Sequence, residues 1–253
     1  SVDYVLANPP FGKKSSMSFT NEEGEQETDE LTYNRQDFWA TTSNKQLNFV
    51  QHIRSMLKTT GKAAVVVPDN VLFDDGRGKA LRQRLMNWCD LHTILRLPTG
   101  IFYAQGVKTN VLFFTRSEDE ALLRDATEAV WIYDMRSGAP AYGKTNPLKP
   151  ADFDGFVTAF GADPHGRAAR QDEGETGRFR RFTREAIAAR GDNLDITWLK
   201  DTSDEAEDGL ETPEDILAAI DGHLTAAMTE VRALLEELWD GVPEVAELPE
   251  AAE

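Results

Sequence analysis

One cysteine, Cys89, stands among the 253 residues. A lone thiol excludes an internal disulfide framework and any zinc site built from several cysteines. It suits a reducing compartment. Histidine is also scarce. His52, His92, His165 and His223 are the only four. None stands at a metal-ligand spacing from another, so each is read as surface or core packing and no metal is expected. Long apolar runs are missing too. The run from Ala63 to Val67 is among the longest, far short of the roughly 20 residues a spanning helix needs. No signal-peptide pattern opens the chain, so a cytoplasmic protein without membrane attachment is expected. Bases are outnumbered: 27 Lys and Arg face 44 Asp and Glu, a net charge of −17. At face value that argues against nucleic-acid binding, which draws on Lys and Arg.

The position of the charge changes that reading. Residues 201–253 hold 17 acids and a single base, Arg232, while residues 1–200 hold 27 acids and 26 bases. Six of those 27 acids crowd into residues 22–30. The acidity belongs to a tail and one loop, and the rest is slightly basic. With 40% hydrophobic and 28% charged residues, the composition is that of a soluble globular chain. The length permits one large domain or two small ones.

Residues 2–7 (VDYVLA) form a short apolar run, the pattern of a buried strand. Such a strand is normally reached through a crossover helix, so a chain cut within its domain is expected. Residues 12–43 are polar, acidic and without sustained period, long for a structureless connection, and so expected to be either functional or mobile. Asn44 is placed to cap a helix to about 59, with Leu47, Val50, Ile53 and Leu57 on one face and Gly61 as its stop. Strands are expected at 62–67, 91–97, 111–115 and 130–133, with a helix at 78–90. That order is α/β. After Pro147 the pattern becomes helical and loop-like, with short helices at 152–160 and 183–190 and a Gly- and Arg-rich loop at 162–177. Thr212, Pro213 and Glu214 start a long helix to about 240. Its Leu217, Ile220, Leu224, Ala227, Val231, Leu234 and Leu238 alternate three and four apart, a seam of about three heptads. Gly222 weakens that helix by about 1 kcal/mol relative to alanine. It reads as a bundle helix or a docking helix.

Chemistry concentrates in Asn8-Pro9-Pro10-Phe11, directly after the first strand. The two prolines fix their own φ and press their predecessors towards extended geometry. The outcome is a rigid loop at the carboxyl end of a strand, where open α/β sheets place ligands. The Asn8 carboxamide and the Pro9 carbonyl are acceptors, and Phe11 adds a flat face. Two acceptors beside a ring suit a planar group bearing NH2. They hold both N–H bonds and offset the charge that develops as the nitrogen attacks a methyl group. The competing reading is a rigid loop with no ligand.

An Asn-Pro-Pro-aromatic motif after an apolar strand resembles that of S-adenosylmethionine-dependent amino methyltransferases. Residues 8–12 (NPPFG), 46–57 (QLNFVQHIRSML), 61–73 (GKAAVVVPDNVLF), 91–114, 144–148 (KTNPL) and 193–200 (NLDITWLK) together resemble the modification subunit of type I restriction–modification systems, an adenine-N6 DNA methyltransferase. The resemblance implies the C-terminal half of a Rossmann-like methyltransferase sheet followed by a helical extension. It divides the chain into 1–150 (methyltransferase domain), 151–211 (family-specific extension), 212–240 (docking helix) and 241–253 (acidic disordered tail). Asn8 and Pro9 would hold adenine N6, with Pro10 in the rigid loop, and Phe11 would stack on the base. Phe102, from the 100–107 turn, would cover it from the other side, with its neighbour Tyr103 the weaker candidate and a core aromatic the alternative. The target adenine must be flipped out of the duplex to arrive there.

The family's glycine-rich loop for S-adenosyl-L-methionine does not precede Asn8. The donor site is therefore expected to be incomplete, and the isolated chain inactive with little donor binding. Residues 2–7 would then form an exposed sheet edge. The resemblance also implies a specificity subunit, a restriction subunit, a second modification subunit and DNA as partners. The seam residues Leu217, Ile220, Leu224, Val231, Leu234 and Leu238 would dock the specificity subunit. Lys13, Lys14, Arg180 and Arg181 are DNA-backbone candidates. The wider set Arg167, Arg170, Arg178, Arg180, Arg181 and Arg184 reads either as backbone contact or as a salt-bridged surface. Gly76-Arg77-Gly78-Lys79 lacks a phosphate-loop spacing and reads as a flexible helix start. Two alternatives stay open: a protein-glutamine or RNA-guanine methyltransferase with the same chemistry, and a non-catalytic assembly module.

Overall fold

A computed structural model describes residues 1–11, 35–102, 107–118, 125–140, 142–143 and 146–199, and the backbone alone at 16–20 and 26–30. Lys13, Lys14, Tyr103, His223 and the helix expected at 212–240, with Leu217, Ile220, Leu224, Val231, Leu234 and Leu238, lie outside the described residues. Ser1–Ser203 form one compact unit.

β1 (Val2–Ala7) leads directly into the Asn-Pro-Pro-Phe loop. β2 (Ser16–Thr20) and β3 (Gln26–Glu30) then pair antiparallel. The residue pattern predicts no element in this stretch. Gln26–Glu30 (QETDE) has no apolar residue, so no alternation signals a strand. α1 (Lys45–Met56) starts as expected. The Asn44 side chain accepts from the Gln46 and Leu47 amides at 2.9 and 3.2 Å, satisfying two donors the helix itself leaves unpaired. The helix ends earlier than its expected limit of 59. Leu57 closes it, donating its N–H to the Arg54 carbonyl, and opens β4 (Leu57–Pro68).

Gly61 is therefore not a helix stop but part of β4, where the register against β1 shifts. Thr60 adopts φ +63° beside it. A Cβ on Gly61 would stand 2.8 Å from the Lys58 carbonyl oxygen and 3.1 Å from that of Val2. The strand irregularity thus needs glycine.

α2 (Asn70–Phe73) and α3 (Arg77–Trp88) follow, the latter with Gly76 at its N-cap. Next come β5 (Cys89–Leu97), β6 (Thr109–Arg116) and β7 (Ala129–Asp134). A 3-10 turn precedes α4 (Asp154–Phe160). β8 (Phe179–Thr183), absent from the sequence reading, and α5 (Arg184–Ala189) complete the described elements.

The main sheet has the order β1-β4-β6-β5-β7-β8. β1, β4, β5 and β7 share one direction, while β6 and β8 oppose it. Side chains alternate between two cores, as strand geometry requires. Val65, Val67, Leu112, Phe114, Val130 and Ile132 face α1, α3 and α5. Val66, Val111, Phe113, Trp131 and Tyr133 face the other way, towards Phe156 and Phe160 of α4. Each fully buried large side chain, such as Phe114, contributes about 1.5–3 kcal/mol.

β1 is the sheet edge. Val5 and Ala7 pack on the first core, while Val2, Tyr4 and Leu6 are 42%, 64% and 84% exposed. The buried-strand pattern of these residues is thus corrected on one face. The edge placement agrees with the resemblance.

Candidate active site

Four strands that run the same way end along one rim of the sheet, at Ala7, Pro68, Leu97 and Asp134. Pro68 and Leu97 both register with Thr109, the first residue of the opposing β6. Asn8, Pro9, Pro10 and Phe11 leave β1 at this rim. Asn8 and Pro10 are exposed, and Pro9 and Phe11 are half-buried. Phe102, beyond the end of β5, meets Phe11 with ring centroids 5.2 Å apart and planes at 90°. Its other side packs on the second core.

Edge-to-face contact is a favoured aromatic geometry. It is not the expected sandwich. A base held between two rings needs them parallel and about 7 Å apart, twice the ~3.5 Å carbon contact distance. The structure brings the two predicted aromatics together, with their rings in contact and no base-wide gap.

Sequence reading missed a polar cluster at the same rim. Arg136, just past β7, is buried and forms a two-pronged ion pair with Asp69, just past β4, at 2.6 and 3.0 Å. Asn110 donates to Asp69 at 2.7 Å. Asp134 accepts from the Arg136 and Ser137 amides at 2.7 and 3.2 Å. The available signal was position: charged residues directly at the carboxyl ends of strands.

The profile of the N-6 DNA methylase family matches residues 1–208. The chain belongs to the N-6 DNA methylase family. It is 43% identical over 264 residues to the type I restriction enzyme StySJI methylase subunit of Salmonella typhimurium, covering 94% of this chain and 47% of that protein. The EcoKI methylase subunit of Escherichia coli is 42% identical over 92% of this chain and 46% of its own length. The crystal structure of the EcoKI M protein superposes with a TM-score of 0.65 at 41% identity, covering 97% of this chain and 51% of that one. The chain thus spans about half the length of these relatives.

In this N-6 DNA methylase chain a further cleft lies elsewhere. A space of about 880 Å³ lies where β5 and β7 begin and β6 ends, lined by Asp90, His92, Thr115, Glu128, Trp131, His165, Arg167 and Arg181 among others. Burial pushes the Asp90 carboxyl up to about 6, with Arg167 opposing the shift. Burial pushes His92 down to about 3, assisted by Arg170. Perturbed groups in a cleft are candidates for function, yet the predicted motif lies at the opposite rim. Cys89 is buried, and its thiol is pushed up to about 12 by that burial. It is inert at neutral pH.

The arginine stretch divides. Arg170 donates to the Phe160 carbonyl and to Thr93. Arg178 donates to the Asp134 carbonyl, and Arg184 pairs with Asp125 and Asp192. These three are used within the fold. Arg180 lies over the Phe182 and Trp198 rings at 5.2 and 5.7 Å, and Arg181 lines the cleft at the far rim. Among the described residues no group of three or more His, Cys, Asp or Glu could hold a metal ion, and no helix is long and apolar enough to cross a membrane.

Proposed function

We propose that this chain carries the acceptor side of an adenine-N6 DNA methyltransferase, in the modification subunit of a type I restriction–modification system. The observation that carries the reading is the Asn8-Pro9-Pro10-Phe11 loop at a strand's carboxyl end, with Phe102 against Phe11. The Asn8 carboxamide and the Pro9 carbonyl accept the two N–H bonds of the adenine amine. That aims the nitrogen lone pair at the methyl group. As the nitrogen gains its fourth bond and becomes cationic, the methyl group leaves the donor and the bonding pair stays on the donor's sulfur; the two acceptors disperse the charge, and the extra proton then passes to solvent. Pro10 holds the loop rigid, so these acceptors need no reorganisation during the reaction. A flipped adenine stacks on Phe11. Its entry displaces the edge of Phe102, because the two rings now fill that space.

The methyl donor of this chemistry is S-adenosyl-L-methionine. The strand ends described here do not form its cradle. Asn-Pro-Pro-Phe, Asp69-Asn70, Pro98-Thr99-Gly100 and Met135-Arg136-Ser137 include no glycine-rich turn. These residues are assigned here to the acceptor. The proposed partners are the specificity subunit, docked by residues 212–240, the restriction subunit, a second modification subunit and DNA. The proposed setting is the cytoplasm. The likeness to type I methylase subunits supports this assignment.

The test is a labelled-methyl assay of the complete subunit on DNA, RNA and protein. Label at adenine N6 in DNA is expected. Label in RNA or at protein glutamine, with none in DNA, would replace this reading.

A further inference from the structure

We infer that Arg136 is the positioning residue that sets Phe102 against Phe11. This rests on the acceptor-site reading above and adds the device that places the second aromatic.

The side chain of Arg136 is 1% exposed. Asp134 aims it. Its carboxylate accepts from the Arg136 and Ser137 amides and, at 2.9 Å, from the Ser137 hydroxyl. That closes a tight turn after β7 and sends the guanidinium back across the sheet rim. There its donors are spent on one small region. Nε donates to the Leu97 carbonyl at 2.9 Å. One terminal nitrogen donates to Asp69 at 3.0 Å. The other donates to Asp69 at 2.6 Å, to the Thr109 carbonyl at 2.9 Å and to the Asn110 side chain at 3.2 Å.

Leu97 is the last residue of β5 and Thr109 the first of β6. They are the two stems of the connection that carries Phe102. One guanidinium therefore grips both stems. Asp69 adds a third hold, because its own N–H donates to the Lys108 carbonyl at 3.0 Å. Between the stems, Gly100 takes φ +78° and comes so close to the Tyr142 carbonyl that a Cβ would stand 2.3 Å from its oxygen. The descent from Leu97 to Phe102 is fixed at both of these points.

Stability alone is a weak reason for such an arrangement. A buried ion pair is often matched by well-packed apolar residues. What apolar residues cannot do is donate to two carbonyls and a carboxylate at once, and the forked donors of arginine can. Lysine has the charge but offers three donors around one nitrogen, and it cannot bridge both stems.

The test reads the position of Phe102 directly. A fluorinated phenylalanine at position 102 of this chain gives a fluorine resonance shifted by the Phe11 ring, and Phe11→Leu removes that shift. Arg136→Lys is expected to lose the shift while circular dichroism still reports a folded chain. Asp69→Asn weakens one prong only and is expected to lose part of it, which covers the case that Arg136→Lys fails to fold. A folded variant of either kind with the wild-type shift would overturn the inference.

In the complete subunit, kcat is expected to fall roughly 10–100-fold for Arg136→Lys, as for a misplaced reacting group, with KM for DNA little changed. An unaltered kcat in an active preparation would also overturn it. If the wild-type subunit labels no DNA, the acceptor-site reading fails, and the fluorine shift still decides the role of Arg136.

Discussion

Asp90→Asn separates the two rims of the sheet. Asp90 sits near the start of β5 in the large cleft, and burial raises its carboxyl to about 6. In the unfolded chain the same group titrates near 3.9. The folded state therefore keeps the proton over a range where the unfolded state has lost it. Stability from this group is complete below about pH 4 and is lost as pH rises through about 6. Two units at about 1.4 kcal/mol each give roughly 3 kcal/mol. Asparagine never ionises, so Asp90→Asn should be more stable than wild type by up to roughly 3 kcal/mol at pH 7, and nearly equal to it at pH 4.

His92 acts in the opposite sense. Burial lowers it to about 3, so its contribution is present above about pH 6.5 and is lost as pH falls. Asp90→Asn should then unmask a steeper acid limb. Urea unfolding followed by tryptophan fluorescence between pH 4 and pH 8 measures both. A constant difference from wild type across that range, or a less stable variant at pH 7, would refute the reasoning. Methyl transfer by the complete subunit should be unchanged in this variant. Its loss in a folded protein would move the chemistry to the far rim.

Gly100→Ala forces a side chain into a positive φ, which costs about 1–2 kcal/mol. It also drives a Cβ against the Tyr142 carbonyl, an overlap worth about 1–3 kcal/mol. A fall of about 2–5 kcal/mol in urea unfolding is expected. Gly143→Ala meets nothing within 4 Å and should stay within about 0.5 kcal/mol of wild type. Leu6 is 84% exposed on the edge strand, so Leu6→Lys should leave stability within about 0.5 kcal/mol and reduce self-association in sedimentation. A strongly destabilised Leu6→Lys would show that this face is covered.

What was legible in the sequence was legible for local reasons. Asn44 announces a helix because its side chain caps the two amides that follow. Two successive prolines after VDYVLA and Asn8 stiffen their own loop, so the candidate loop is readable from neighbouring residues alone. The pairing of Phe102 with Phe11 came through the resemblance, since nothing local links the two loops. β8 went unseen because its sequence, FRRFT, reads as a basic stretch, and its strand character comes from pairing with β7. Gly61 looked like a helix stop because the neighbouring β1 that crowds it is invisible to local pattern. The Arg136 cluster was illegible for the same reason. Its partners come from β4, β5 and β6, and only the folded sheet brings Asp69, Leu97 and Thr109 within reach of one guanidinium.

The acceptor role of Asn8 is the centre of the account. Labelled-methyl transfer to DNA by the complete subunit bearing Asn8→Ala, compared with wild type at equal folded concentration, tests it most directly. The account predicts a loss of about 10²–10³-fold, the scale of removing one group that stabilises developing charge, with assembly intact. Wild-type methylation by that variant would contradict it.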